Sequence, residues 1–271
     1  MKLRTLPAAL LLASLTGVPA WADKAPPRSL EVLRGEIDRV DQNLLRLLNE
    51  RAAIVDEVGR SKSGTKAPVF RPGRQAALLR KLVSAQGLQT RETLTRVWTA
   101  IIAGSILQQR PEFTVAVVDS ANGATALLAQ DYFGTQPPRL ALPTAEAALS
   151  ALAEHRADVA VMSLDGTWWQ RMPEGVQVLA SAPLVRADRE RPAALILARQ
   201  DIDPSGDDVT VARLPPDVEP AGAVLLASDS GRRLWAFAKG VALPSSAEPI
   251  GIYAKPIAPT PSAEDKASAR K

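Results

Sequence analysis

The chain has 271 residues, with 33 basic and 29 acidic side chains, one histidine and no cysteine. Without cysteine there is no disulfide framework, thiolate nucleophile or cysteine-ligated metal, and the lone His155 argues against a Ser-His-Asp triad or a multi-histidine zinc site. Stability must come from hydrophobic cores, and the chain is long enough for two.

Lys2 and Arg4 precede an apolar run from Leu6 to Val18, which is too short to span a bilayer. Ala20-Trp21-Ala22 then supplies the small-x-small pattern of a signal-peptidase site. Residues 1–22 are expected to be a signal peptide cleaved after Ala22, leaving a periplasmic or secreted protein with no membrane partner. The competing readings are an uncleaved membrane anchor and a buried N-terminal helix. Residues 23–28 read as a linker.

From Leu30 the apolar positions are Leu33, Ile37, Val40, Leu44, Leu47, Leu48, Ile54, Val55 and Val58. Steps of three and four predict one amphipathic helix, with Ser29 as N-cap and an end near Lys62, where Ser63-Gly64 and Pro68 break the pattern. Such a rod is about 50 Å long and cannot bury its stripe alone. Partner helices are predicted from Pro72 to Gln86 and from about Thr90 to Gln109. The apolar face of the latter comprises Leu94, Val97, Trp98, Ile101, Ile102 and Ile106.

After Pro111 the period changes. Strands are predicted at Phe113–Val118, Arg139–Leu142, Asp158–Leu164, Val176–Ala180, Ala193–Ala198, Val209–Leu214, Ala223–Ala227 and Ile250–Ala254. Helices are predicted at Gly123–Tyr132 and Thr144–Glu154, with a helical turn around Arg232–Ala238. The early alternation predicts an α/β domain with a largely parallel sheet. The expected domains are therefore 29–110, helical, and 111–257, α/β, followed by a Pro- and Ser-rich disordered tail over 258–271.

Charge divides along the same line. Residues 28–110 carry 15 basic and 8 acidic side chains, whereas residues 111–271 carry 15 and 20. The basic half lacks interleaved aromatics or a basic cluster at groove-reading spacing, so a small acidic ligand suits it better than nucleic acid. Arg51, Val55, Val58 and Lys62 share one helix face, two cations about 16 Å apart over an apolar floor. Ser105 and Gln109 are one turn apart on the third helix.

The stretch LRGEIDRVDQNLLRLLNERAAIVDEVGRSK resembles the first helix of the AroQ class of chorismate mutases. SKSGTKAPVFRPGRQAALLRKL resembles that family's loop and second helix, and LTRVWTAIIAGSILQQ its third. The resemblance implies an all-helical, three-helix domain assembled as an intertwined homodimer. The implied activity is rearrangement of chorismate to prephenate, without cofactor or metal. Arg51 and the other subunit's Arg34 would grip the two carboxylates, Lys62 and Gln109 would donate to the ether oxygen, Arg74 and Ser105 would complete the carboxylate contacts, and Gln75 would meet the ring hydroxyl. Independently, Arg34 and Arg51 lie about 25 Å apart on a straight helix, too far to hold one small molecule from the same rod. A two-fold dimer with shared sites resolves this. Two positions depart from the family pattern: Arg71 stands where an acid is usual and Gln75 where a glutamate is usual, which points to weakened activity or shifted specificity.

VAVVDSANGATALLAQDYFG and ALSALAEHRADVAVMSLDGT resemble the opening lobe of prephenate dehydratases, and GIYAKPI resembles the end of the regulatory domain that follows it in that family. Asp119 and Ser120 replace the first residues of that family's Gly-Pro-x-Gly motif. Pro192, Ala193 and Ala194 stand where it carries a Thr-Arg-Phe triplet, and the span from Asp165 to Pro192 is too short for its second lobe. The region reads as a degenerate dehydratase with a binding or scaffolding role, Asp165 and Thr167 being the polar pair left near a strand end. On this reading the helical segment ending near Gln109 functions by itself. The chain is expected to be a chorismate mutase. A non-catalytic periplasmic binding or sensor protein and an isochorismate-pyruvate lyase-like activity remain as alternatives. Protein recovered from its host should have a mass starting near Asp23 and fractionate with the periplasm. Intact Met1 in a cytosolic fraction would overturn the export reading.

Overall fold

The structure, a computed structural model, describes residues 28–261 except Ser63, Lys66, Gln86, 119–121 and 188–190. The expected leader, linker residues 23–27, the chain from residue 262, and Asp119 and Ser120 lie outside the described residues. The chain divides into two compact units, residues 1–50 and 51–271. That division falls inside the first helix, not at the boundary expected after residue 110.

Helix α1 (Leu30–Lys62) follows the predicted bounds. Ser29 caps it, its Oγ accepting from Val32 N at 3.3 Å. In the first unit Arg28 pairs with Glu36 at 2.7 Å and Arg46 with Glu50 at 3.2 Å. No residue of α1 is buried; of the predicted stripe Leu30, Ile37, Leu44 and Leu47 are 70%, 58%, 53% and 49% exposed, and Leu45 beside it 60%. The predicted apolar stripe is thus present but uncovered in a single chain. Among the described residues no helix is long and apolar enough to cross a membrane.

Helices α2 (Pro72–Ser84) and α3 (Arg91–Gln109) belong to the second unit. Thr90 caps α3, accepting from Thr93 N at 3.1 Å. The buried face of α3 is Thr95, Thr99, Ala103 and Ile106. Of the predicted row of large side chains only Ile106 belongs to it; Val97 is 46% exposed and the others are half-buried. Small residues let α3 lie close to the next layer, where Ala103 meets Gly134.

Beyond α3 the order is β1 (Val115–Val118), α4 (Ala124–Phe133), β2 (Arg139–Leu142), α5 (Ala145–Ala153) and β3 (Val159–Ser163). There follow β4 (Gln177–Ala182), β5 (Ala194–Ala198), β6 (Asp208–Leu214), β7 (Val224–Ser228), β8 (Arg233–Phe237) and β9 (Glu248–Ala254). Among the described residues these strands form one sheet in the order β2-β1-β3-β5-β4-β9-β6-β8-β7. The whole chain is therefore not all-helical. Only β1–β2, β1–β3 and β4–β9 are parallel. The expected largely parallel sheet is instead mixed, because the helical crossovers cease after β3 and later strands return by short connections that allow antiparallel pairing. The helical turn expected around Arg232–Ala238 is β8, whose apolar residues are sealed between β6 and β7. GIYAKPI, which resembles the end of a regulatory domain, belongs here to the same sheet as the other strands. Its strand β9 lies inside the sheet between β4 and β6, and Gly251 at φ 143° is required there, since a Cβ would stand 2.1 Å from Val178 O.

The core crosses the expected domain boundary. Phe70, from the loop before α2, and Ile106 of α3 are buried with Phe113, Val117, Tyr132, Phe133 and Ile196. Phe70 lies 5.5 Å from the Phe133 ring and 6.4 Å from that of Phe113. Arg110, at the end of α3, pairs with Asp158 at 3.1 Å. Ala258 to Thr260, expected to begin a disordered tail, are held on α3: Thr260 Oγ1 donates to Glu92 at 2.7 Å and accepts from Arg91 N at 2.9 Å. The Thr260 backbone N–H, donating to Glu92 at 2.9 Å, and then its hydroxyl pull the Glu92 carboxyl down to about 2.

A segment ending near Gln109 would lack the cover that the sheet region gives Phe70 and Ile106. Burial of each such side chain is worth about 1.5–3 kcal/mol. A chain cut after Gln109 should lose its cooperative thermal transition by circular dichroism. A cooperative melt matching the full chain would contradict this.

Candidate active site

Cations from two helices converge in the second unit, beside polar groups of α3. Arg51 Nη1 donates to Ser105 Oγ, joining α1 to α3. Ser105 Oγ donates onward to Ile101 O at 2.8 Å, and Gln109 Nε2 donates to Ser105 O at 2.9 Å. Gln108 Nε2 clamps the same two helices through Ala52 O at 2.9 Å and Asp56 Oδ1 at 2.6 Å. Lys62 Nζ donates to Pro68 O at 3.0 Å, turning the end of α1 towards the loop that leads into α2.

The predicted floor is altered in one place. Val58 is 40% exposed, while Gly59 faces the third helix, the position of its Cβ lying 3.5 Å from Gln109 Cγ. The working face is Arg51, Val55, Gly59 and Lys62. A glycine inside an otherwise strong helix was the available signal, since it costs about 1 kcal/mol unless close packing needs it.

The electrostatics mark the same cluster. Burial holds the Arg51 guanidinium below its ordinary range, and the charge of Arg74 adds to the effect. Burial likewise lowers Lys62, followed by the charges of Arg71 and Arg74, with Asp203 acting in the opposite direction. Arg74 itself is exposed. Gln75 is buried and makes no side-chain bond to Arg51, Lys62, Ser105 or Gln109 among the described residues. Its Nε2, and Oε1 of Gln109, are buried without a hydrogen-bond partner among the described residues. Arg34 is exposed in the first unit. The structure thus assembles Arg51, Lys62, Arg74, Ser105 and Gln109, buries Gln75 in α2, and leaves Arg34 in the other unit.

One residue was missed by the sequence reading. Asp203, between β5 and β6, forms an ion pair with Arg71 at 2.6 Å. It answers the unusual cation at that position, and no local pattern links two residues so far apart in the chain. In the α/β region, Asp165 and Thr167 are both exposed after β3. Pro192 and Ala194 are buried and Ala193 exposed. Trp168 and Trp169 are buried packing residues, their indoles donating to Ser163 O at 2.8 Å and Gly166 O at 3.1 Å.

Residues 33–110 match the family model of chorismate mutase type II, and this segment is a chorismate mutase domain. Among curated proteins the chain is similar to the bifunctional chorismate mutase/prephenate dehydratase of Aquifex aeolicus (strain VF5), with 28% identity over 143 residues, which are 51% of this chain and 39% of that protein. It is also similar to the protein of the same name from Neisseria gonorrhoeae, with 30% identity over 135 residues, 49% of this chain and 36% of that protein. The chain thus spans well under half the length of either relative. Among solved structures, prephenate dehydratase from Streptococcus mutans aligns with 52% of this chain and 97% of its own, at 9% identity and a TM-score of 0.33. A helical chorismate mutase domain is followed in this chain by a sheet-rich α/β region.

The charge pattern gives a signed expectation. Removing Arg71 deletes a cation that lowers Lys62 and leaves Asp203, which raises it, unpaired. In a side-chain NMR titration of the full chain, Lys62 should release its proton below the ordinary lysine value, and Arg71→Ala should move that release to higher pH. No movement, or a downward one, would contradict the cluster.

Proposed function

We propose that this protein is a chorismate mutase, an isomerase that rearranges chorismate to prephenate. The observation that carries the reading is the convergence of Arg51, Lys62, Arg74, Ser105 and Gln109 within a segment that matches the chorismate mutase family. The reaction is unimolecular: one carbon–oxygen bond breaks while one carbon–carbon bond forms, and no nucleophile is needed. Holding the dianion folded and stabilising charge on the departing ether oxygen is sufficient. Arg51 and Arg74 take the carboxylates, where guanidinium forks fit best. Lys62 and the second N–H of Gln109 Nε2 donate to the ether oxygen, and Ser105 fixes Arg51.

The acting species in this reading is an exported homodimer whose sites are completed by Arg34 of the second copy. The uncovered stripe Leu30, Ile37, Leu44 and Leu47 supports the pairing, since a soluble monomer rarely leaves so continuous an apolar face open. The α/β region serves as a scaffold and makes no phenylpyruvate, because Pro192, Ala193 and Ala194 offer neither hydroxyl nor cation to help water leave.

The full chain should deplete chorismate absorbance and yield prephenate. Arg51→Ala and Lys62→Ala should each lower kcat/KM by about a hundredfold or more. Mixing Arg34→Ala with Arg51→Ala chains should restore part of the activity, because half the sites in a hybrid dimer are intact. A mixture as inactive as either parent, with subunit exchange demonstrated, would rule out shared sites.

A further inference from the structure

The loop between β5 and β6 grips α2, and the residue just before its cap, from outside the chorismate mutase segment. Gln200 Nε2 donates to Phe70 O at 3.0 Å, and Arg80 donates to the carbonyls of Ser205 and Asp207, each at 3.0 Å. Between these ties, Asp203 Oδ2 accepts from the backbone N–H of Gly73 at 2.9 Å and of Arg74 at 3.1 Å. Its Oδ1 accepts from Arg71 Nε at 2.8 Å and pairs with Arg71 Nη2 at 2.6 Å. The Asp203 side chain is 9% exposed.

Helix α2 makes no side-chain cap of its own, since Arg71 occupies the capping position. Its open N–H groups are met instead by a carboxylate from the sheet region, which also suits the positive end of the helix. The approach is close: a Cβ on Gly73 would stand 1.9 Å from Asp203 O. The loop is braced behind it, with Asp208 accepting from Ser205 N at 3.0 Å and from Gly206 N at 3.1 Å.

The turn of α2 held in this way carries Arg74 and Gln75. We infer that Asp203 is a positioning residue for the dianion site. It fixes the start of α2, and with it Arg74, and neutralises Arg71, which would otherwise leave an unpaired cation at the rim. The inference rests on the reading of Arg74 as a substrate contact. The carboxylate also favours the protonated form of Lys62, so the α/β region acts on the site by geometry and by charge.

The test is chorismate turnover by the full chain with Asp203→Ala and Asp203→Asn. Asp203→Ala should raise KM about tenfold, the scale set by loss of a helix cap, with kcat within about threefold. Asp203→Asn keeps an oxygen that can accept from Gly73 or Arg74 and should return KM to within about threefold of wild type. A merely structural Asp203 would lower the folded fraction, reducing apparent kcat and leaving KM unchanged, and that pattern overturns the inference. If Asp203→Ala does not fold, Asp203→Glu replaces it. The longer acid keeps the charge but not the reach to both N–H groups, so KM should rise, and an unchanged KM again overturns the inference. Absence of turnover in wild type would remove the mutase reading and this inference together, whereas wild-type turnover with KM insensitive to Asp203 would remove the inference alone.

Discussion

A single carboxylate, that of Asp203, meets two backbone N–H groups of α2 and the guanidinium of Arg71. A nearly buried carboxylate is costly unless its lone pairs are engaged, and here both oxygens accept from charged or helix-terminal donors. The consequence is architectural. The helix that presents Arg74 starts where the sheet region tells it to start, and the glycine at position 73 exists because the two backbones touch. The buried aromatic rings around Phe70 and the Arg110–Asp158 pair reinforce the same junction.

The cation cluster is the complement of that constraint. Burial lowers the proton affinity of Arg51 and Lys62, and neighbouring cations add to it, Arg74 at Arg51 and Arg71 and Arg74 at Lys62. Assembling like charges in partly desolvated surroundings works against folding. An anion among these cations would relieve that repulsion. His155 belongs to a turn after α5, beside Arg199, and takes no part in the cluster.

Among the described residues the α/β region forms one sheet, whose strand β5 is wholly apolar and buried. Its opening β1-α4-β2-α5-β3 unit is parallel, and the remaining strands fold back antiparallel, with β9 drawn into the middle of the sheet. What the region demonstrably supplies to the helices is support. The loop before β6 holds α2, and Ala258 to Thr260 hold the start of α3 through Arg91 and Glu92.

Much of this was legible in the amino-acid order. The spacing of Leu33, Ile37, Val40 and Leu44 defines α1 because a helix repeats every 3.6 residues, and Ser29 and Thr90 mark helix starts because their hydroxyls can cap. Arg51 and Lys62, eleven residues apart on one face, and Ser105 and Gln109, one turn apart, could be nominated because helix geometry is local. The direction of the later strands was not legible, since β8 and β9 are chosen by which neighbours pair with them and not by their own period. Val58 and Gly59 exchanged roles because a turn of a few tens of degrees decides which residue faces α3. The Asp203–Arg71 pair was invisible for the same underlying reason: it joins residues 132 positions apart, and an ion pair at that separation leaves no trace in local composition. Local periodicity therefore determined the helices and nominated the cations, and long-range packing alone decided which acid positions them.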